Sequence, residues 1–170
     1  MMKDAKETEI IQIEVEDDGR IPNHWKLPLL IYKEALESGD DAVEVLNANG
    51  WSGEWLGSVH PFHHYHSNTH EVLVVHSGTA TLQLGGELGE KVDVGPGDVI
   101  ILPAGYGHKM IESDDDYQNY GAYPGGKSFD MCYGESDERP EVLDNIKNVP
   151  MPEADPIYGE DGPLFNYWND

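Results

Sequence analysis

The sequence predicts an all-β sandwich or barrel, with short helices ahead of it and an extended proline-rich arm behind it. Three observations carry that reading. From Trp51 onward, short alternating or wholly apolar runs recur between turn signals such as Gly85-Gly86, Gly95-Pro96-Gly97 and Pro124-Gly125-Gly126. About eight such runs follow one another without intervening long helical patterns, which argues against alternating α/β units. A chain of 170 residues with four Trp and nine Tyr can bury an ordinary core, although only 38% of it is apolar.

Taken in order, residues 10–15 alternate apolar and polar side chains and read as a strand. Pro22 and Pro28 bracket a loop. Residues 29–36 carry apolar side chains at helical spacing and stop at Gly39, so they predict a helix. Asp40 or Asp41 is placed to cap a second short helix over 42–49, ended by Gly50. Strands are predicted at 55–59, 62–66, 72–76, 80–84, 91–94, 99–102, 108–112 and 117–123. A helix follows at 141–148, and then Pro150, Pro152, Pro156 and Pro163 prevent regular packing. Tyr158, Leu164, Phe165, Tyr167 and Trp168 make this an arm anchored by aromatics on its own barrel or a neighbour's. The chain thus divides into an extension (1–50), a barrel (51–126) and a tail with helix and arm (127–170), read as one structural domain.

Charge narrows the partners. Acids number 33 against 10 Lys and Arg, a formal net charge of −23. Phosphate backbones and anionic membranes are bound with cations, so nucleic acid and membrane surfaces are poor partners. No apolar run approaches the ~20 residues of a membrane span, and the start lacks a basic then hydrophobic signal segment; a cytoplasmic location is the expectation. The single cysteine, Cys132, rules out an intramolecular disulfide and reads as a small buried hydrophobe. Acidic clusters at Glu16-Asp17-Asp18, Asp40-Asp41 and Asp114-Asp115-Asp116 read as solvated loops, and none has the spacing of a calcium loop. Ser58, Ser67 and Ser77 lack a nucleophile elbow, and Gly95-x-Gly97 lacks the context of a phosphate loop. No helix-turn-helix pattern accompanies the barrel.

The chemistry concentrates elsewhere. Of eight histidines, five fall together as His60, His63, His64, His66 and His70. Neutral imidazole is the commonest metal ligand. In an extended segment His64 and His66 share one face, with His63 and Tyr65 on the other. Glu71 opens an apolar strand, and His108 opens another just after Pro103-Ala104-Gly105-Tyr106-Gly107. By ligand type alone, His70 is an alternative to its neighbour Glu71, although alternation points the two in opposite directions.

These residues fit a known pattern. His64-Tyr65-His66, four residues, Glu71, six residues and Gly78 resemble the first motif of the cupins; Gly97, Pro103-x-Gly105 and His108 resemble the second. The two lie in the right order with residues 79–96 between them. Gly57 stands one residue further from His64 than the pattern allows, and Glu112 replaces the asparagine that usually ends the second motif. The flanks, Ile21-Pro22-Asn23 and 27–32 through the Pro-rich end, are similar to a group of small bacterial cupins. The resemblance implies a double-stranded β-helix, or jelly-roll barrel, holding one divalent metal on His64, His66, Glu71 and His108. It selects Glu71 over His70, favours iron or manganese over nickel, copper or zinc, and implies a homodimer with terminal segments exchanged or draped across the interface. His60, His63, His70, Tyr106 and Tyr120 are candidates to line the pocket, whereas His24 and His76 read as structural or exposed.

Three imidazoles and one carboxylate leave about two open positions on a six-coordinate ion, enough for a small substrate or dioxygen. The function read from this is a small-molecule metalloenzyme of oxidoreductase (dioxygenase-like) or isomerase type; a non-catalytic metal- and ligand-binding module is the alternative. The charge makes its own prediction. Self-repulsion at −23 destabilises the compact state in dilute buffer and is screened by salt. The midpoint of thermal unfolding should therefore rise between low salt and molar KCl, as followed by circular dichroism; an unchanged midpoint contradicts this.

Overall fold

The computed structural model describes residues 2–169. Nine strands form two antiparallel sheets: β1 (Glu9–Ile13), β2 (Leu29–Lys33), β3 (Trp51–Gly57), β4 (Glu71–Ser77), β5 (Ala80–Leu84), β6 (Glu90–Val94), β7 (Val99–Leu102), β8 (His108–Ser113) and β9 (Gln118–Pro124). One sheet has the order β1-β2-β7-β4-β9-β3, the other β6-β5-β8. Three helices flank them: α1 (Ala42–Ala48), α2 (Glu141–Asn148) and the single turn α3 (Leu164–Tyr167). The inner faces enclose one core around Leu73, Val75, Leu82, Ile100 and Leu102, so the barrel is filled by side chains below its mouth.

Residues 29–36 correct the sequence reading: they are not a helix, and residues 29–33 are strand β2, inside the larger sheet between β1 and β7. Both faces of β2 are covered. Leu29 and Ile31 join the barrel core, while Leu30 and Tyr32 join a second core on the outer face of the sheet. A strand buried on both sides loses its alternation and reads as a continuous apolar run, which helical spacing also fits. Residues 62–66 also differ, because they form no strand. Two isolated bridges, His64 to His108 and Tyr65 to Cys132, hold them beside β8. Strand β3 begins at Trp51, four residues earlier than its polar sequence suggests. The second predicted helix forms as α1, with the Asp41 side chain accepting from the Glu44 amide at 3.1 Å.

The Pro-rich arm folds back on its own barrel. Ile157, Leu164 and Trp168 are buried against Leu30, Tyr32, Val74 and Ile101 on the outer face of the six-stranded sheet. Burying three such side chains contributes roughly 1.5–3 kcal/mol each. Polar atoms fix the register. Trp168 Nε1 donates to the Pro28 carbonyl at 2.7 Å, and Trp51 Nε1 donates to the Ala154 carbonyl at 2.9 Å. Asp155, fully buried, is the hub. Its carboxylate accepts from the amides of Ile157 (2.9 Å), Tyr158 (3.0 Å) and Leu164 (3.0 Å) and from the Tyr32 hydroxyl (2.5 Å). Burial, and after it the adjacent Asp155, keep the Tyr32 phenol protonated and therefore a donor.

Asp155→Ala leaves four donors with no acceptor in a dry site. Unsatisfied buried groups cost about 1–3 kcal/mol each, so a total loss on the order of 4 kcal/mol is expected even with partial relaxation. The thermal midpoint should fall by on the order of 10 °C for a chain of this length. A shift within two degrees, measured calorimetrically, would show that the arm is not held through Asp155.

Candidate metal centre

Three chain segments bring the polar side chains together at the barrel mouth. His108 opens β8 and Glu71 opens β4, each at the mouth end of its strand. His64 and His66 come from the segment beside β8. The His108 amide donates to the His64 carbonyl at 3.0 Å, and the His64 amide donates back at 3.3 Å. Gly105 fixes the next residue: its amide donates to the His66 carbonyl at 2.8 Å, with φ at +91°. A Cβ on Gly105 would lie 2.4 Å from the Asn23 carbonyl oxygen, so both the backbone conformation and the close approach require glycine. The alternation expected for residues 64–66 holds. Tyr65 points away into a small cluster with Ile21, Cys132 and Val142, and its hydroxyl donates to Glu138 at 2.8 Å.

The hydrogen bonds settle which nitrogens face inward. Nδ1 of His64 lies 3.0 Å from the Phe62 carbonyl, Nδ1 of His66 lies 2.6 Å from the Asp130 carbonyl, and Nδ1 of His108 lies 3.1 Å from the Tyr106 carbonyl. A carbonyl oxygen only accepts, so each Nδ1 carries the proton and each neutral ring presents a bare Nε2. Among the described residues, these three imidazoles form a group whose candidate ligand atoms lie within 4.8 Å of one another. Glu71 Oε1 lies 3.3 Å from Nε2 of both His66 and His108. It has no hydrogen-bond partner among the described residues, although Glu71 is only 2% exposed. Three bare nitrogens thus meet in a buried site, with an unpartnered carboxylate oxygen beside two of them. A cation between them, or a proton on one Nε2, is needed to hold them together. The donor set and the orphaned oxygen fit a divalent transition metal.

The electrostatics without a metal point the same way. Burial, and next the neighbouring His108, push His64 down to about 2, so this ring stays neutral. Burial also pushes His66 down, but the Glu71 carboxylate beside it outweighs that and raises it above its ordinary value. Glu71 is held below the ordinary carboxylate range: full burial pushes it up, and the pairing with His66 and His108 more than offsets this. A proton on His66 is the natural stand-in for the missing cation.

Behind Glu71 stands a support that the sequence reading did not identify. The Tyr123 hydroxyl donates to Glu71 Oε2 at 2.8 Å and accepts from Trp55 Nε1 at 2.7 Å. Burial first, and Glu71 second, raise the Tyr123 phenol, which keeps it a donor. The Trp55 indole lies directly on Gly121, where a Cβ would approach it to 2.3 Å. Strand β9 therefore needs glycine at that point for the Trp55–Tyr123–Glu71 relay to close. The Asp130 carboxylate accepts from the Ser67 amide at 2.7 Å and from the Ser67 hydroxyl, fixing the carbonyl that orients His66.

A cavity of about 240 Å³ opens over these groups, walled by Trp55, Val59, Leu73, Tyr123, Phe129 and Met131. Of the side chains expected to line it, only His60 does; it stacks on Phe62 at the rim. His63 faces another depression, 3.3 Å from Glu87. His70, only 1% exposed, points away from Glu71, accepts the Ala104 amide at 2.9 Å and lies against Trp168. Burial, then the charge of His24, push it down to about 3. Tyr106 is a core residue tying β1 to the barrel, accepting from the Val15 amide at 2.9 Å and donating to the Ile13 carbonyl at 3.1 Å. Tyr120 lies on the outer side of β9 beside His76. Cys132 is buried, its thiol pushed up to about 12 by burial and then by Asp130. A wider groove of about 840 Å³ between residues 14–28 and α2 is separate from the metal-ligating cluster.

The fold and this donor set define the class. Residues 55–117 match the family described as Cupin domain, and the chain belongs to the cupins. Within them it is 47% identical over 152 residues to uncharacterized protein YjlB of Bacillus subtilis (strain 168), across 89% of this chain and 92% of that protein. Among solved structures it is similar to acireductone dioxygenase from Bacillus anthracis with cadmium in its active centre, at 22% identity and TM-score 0.34 over 48% of this chain and 55% of that one. It is also similar to a DUF861 family protein from Thermotoga maritima, at 22% identity and TM-score 0.33 over 46% and 84% of the two chains.

His64→Ala and His108→Ala should each remove most of the metal from purified protein, whereas His76→Ala should leave it bound. Tyr123→Phe removes the donor to Glu71 and should weaken metal affinity about 10–100-fold, the usual effect of losing a group that orients a ligand. Competition with a chelator measures both. Equal metal loss in all the histidine variants, or none in Tyr123→Phe, contradicts the assignment.

Proposed function

We propose that this protein is a metal-dependent enzyme acting on a small molecule, of oxidoreductase (dioxygenase-like) or isomerase type. The carrying observation is the donor-free convergence of three bare Nε2 atoms and the unpartnered Glu71 Oε1 beneath an apolar cavity. His64, His66, Glu71 and His108 would hold one divalent transition metal, with iron or manganese preferred and nickel, copper or zinc chemically acceptable. The metal supplies Lewis acidity toward an enolate, carboxylate or hydroxyl oxygen, or a place for dioxygen beside the substrate.

The chain's own residues supply the rest. Carbonyls of Phe62, Asp130 and Tyr106 lock the tautomers, and Tyr123 holds one carboxylate oxygen so that the other faces the cavity. The ligating side chains themselves are nearly inaccessible to solvent, and low local polarity strengthens the electrostatic contacts among them. Half-exposed Phe129 stands on the cavity wall, where it would meet an incoming ligand.

The test is an oxygen-consumption screen and an isomerisation screen of iron- and manganese-loaded protein over small oxygen chelators. Turnover abolished by His108→Ala supports the proposal. Inactivity in both screens at full metal occupancy, with ligand still bound, makes the protein a non-catalytic binding module instead. Acid sensitivity is a second check. His66 must lose its proton before it can coordinate, and its folded-state value lies above the ordinary 6.5. Affinity is therefore full above that raised value and falls as pH drops below it, about tenfold per pH unit for one competing proton. His64, held near 2, adds no competition in that range. Metal affinity independent of pH between 7.5 and 5 would contradict the site.

A further inference from the structure

The cavity's own chemistry narrows its ligand, given the metal reading just proposed. A divalent ion with three neutral imidazoles and one carboxylate carries a net charge of +1. That leaves one unit of charge, buried, for a ligand to neutralise. Beyond the metal-facing groups the walls carry one neutral hydroxyl, Ser58, and one imidazole, His60, and no permanent cation. The polar atoms of Trp55 and Tyr123 are already engaged in the relay to Glu71. Among the described residues, no Lys or Arg lines the cavity. His60 is exposed and stacked on Phe62, and Leu73, Val59 and Met131 supply apolar wall.

We infer that the site takes a small, singly charged oxygen chelator with an apolar flank, and discriminates against dianions and phosphorylated molecules. The volume of about 240 Å³ equals roughly eight waters at about 30 Å³ each, which bounds the ligand to a few carbon atoms beyond its chelating oxygens. A second carboxylate or a phosphate would be desolvated against Leu73 or Met131 with no counter-charge, and an unpaired buried ion is heavily disfavoured. The long-range field acts in the same direction, because a protein of charge −23 repels a dianion twice as strongly as a monoanion. On the cavity wall, half-exposed Phe129 offers apolar contact.

Cobalt-loaded protein titrated with lactate, tartronate and inorganic phosphate tests this through its visible absorption. Lactate and tartronate share the same hydroxy-acid chelating unit and differ by a methyl in place of a carboxylate. Free metal ions favour the dianion. The protein should reverse that order, binding lactate at least tenfold more tightly than tartronate and binding phosphate more weakly than lactate. Met131→Lys, or Phe129→Lys if the first fails to retain cobalt, adds a cation to the wall and should tighten tartronate at least tenfold without tightening lactate. Tartronate or phosphate binding as tightly as lactate in the unaltered protein overturns the inference and leaves the metalloenzyme reading standing. Failure to take up stoichiometric cobalt, or no spectral response to any of the three anions, overturns the reading itself.

Discussion

The structure is organised around a negative charge that has been taken out of water. Glu71 sits at the end of a central strand, 2% exposed, with one oxygen held by Tyr123 and the other 3.3 Å from Nε2 of both His66 and His108. Isolated buried carboxylates are tolerated only with a cation or a proton close by. Everything at that end of the barrel serves this requirement. The glycine at 105 brings the backbone close enough to pin His66, the glycine at 121 lets Trp55 reach Tyr123, and three carbonyls set the tautomers.

Much of this was legible in the sequence, and the reasons are local. Histidines two apart on an extended segment must share a face, and an acid or a histidine at the first position of an apolar strand lies at its end, so the convergence of His64, His66, Glu71 and His108 follows from alternation together with the family pattern. What could not be read depends on pairing. Tyr123 lies beside Glu71 only because β9 pairs with β4 in the register Val72 to Ala122, and no spacing within either strand reveals that. The orienting group for His66 is a backbone carbonyl at Asp130, to which side-chain chemistry gives no clue. Tyrosines were credited to the pocket because they are amphipathic, yet Tyr106 and Tyr120 occupy the core and the outer face.

The misread helix has the same origin. Residues 29–33 are apolar on both sides because the arm supplies a second core on the outside of the sheet. The sequence marks an aromatic-anchored arm more than a hundred residues away but not the face on which it docks. The two readings are linked: without knowing which face the arm covers, β2 has no reason to be buried on both sides, and helical spacing becomes the simpler account. Asp155 is what makes the link physical, since its carboxylate joins the arm's own amides to the Tyr32 hydroxyl of β2.

That same arrangement gives the sheet its second layer. The broad outer face of the six-stranded sheet is apolar, and Trp168, Leu164 and Ile157 occupy it. That surface is upholstered from within, while the outermost strands of the two sheets, β1, β3, β6 and β8, each lack a neighbouring strand on one flank. The tail thus works as a lining sewn in by the chain itself.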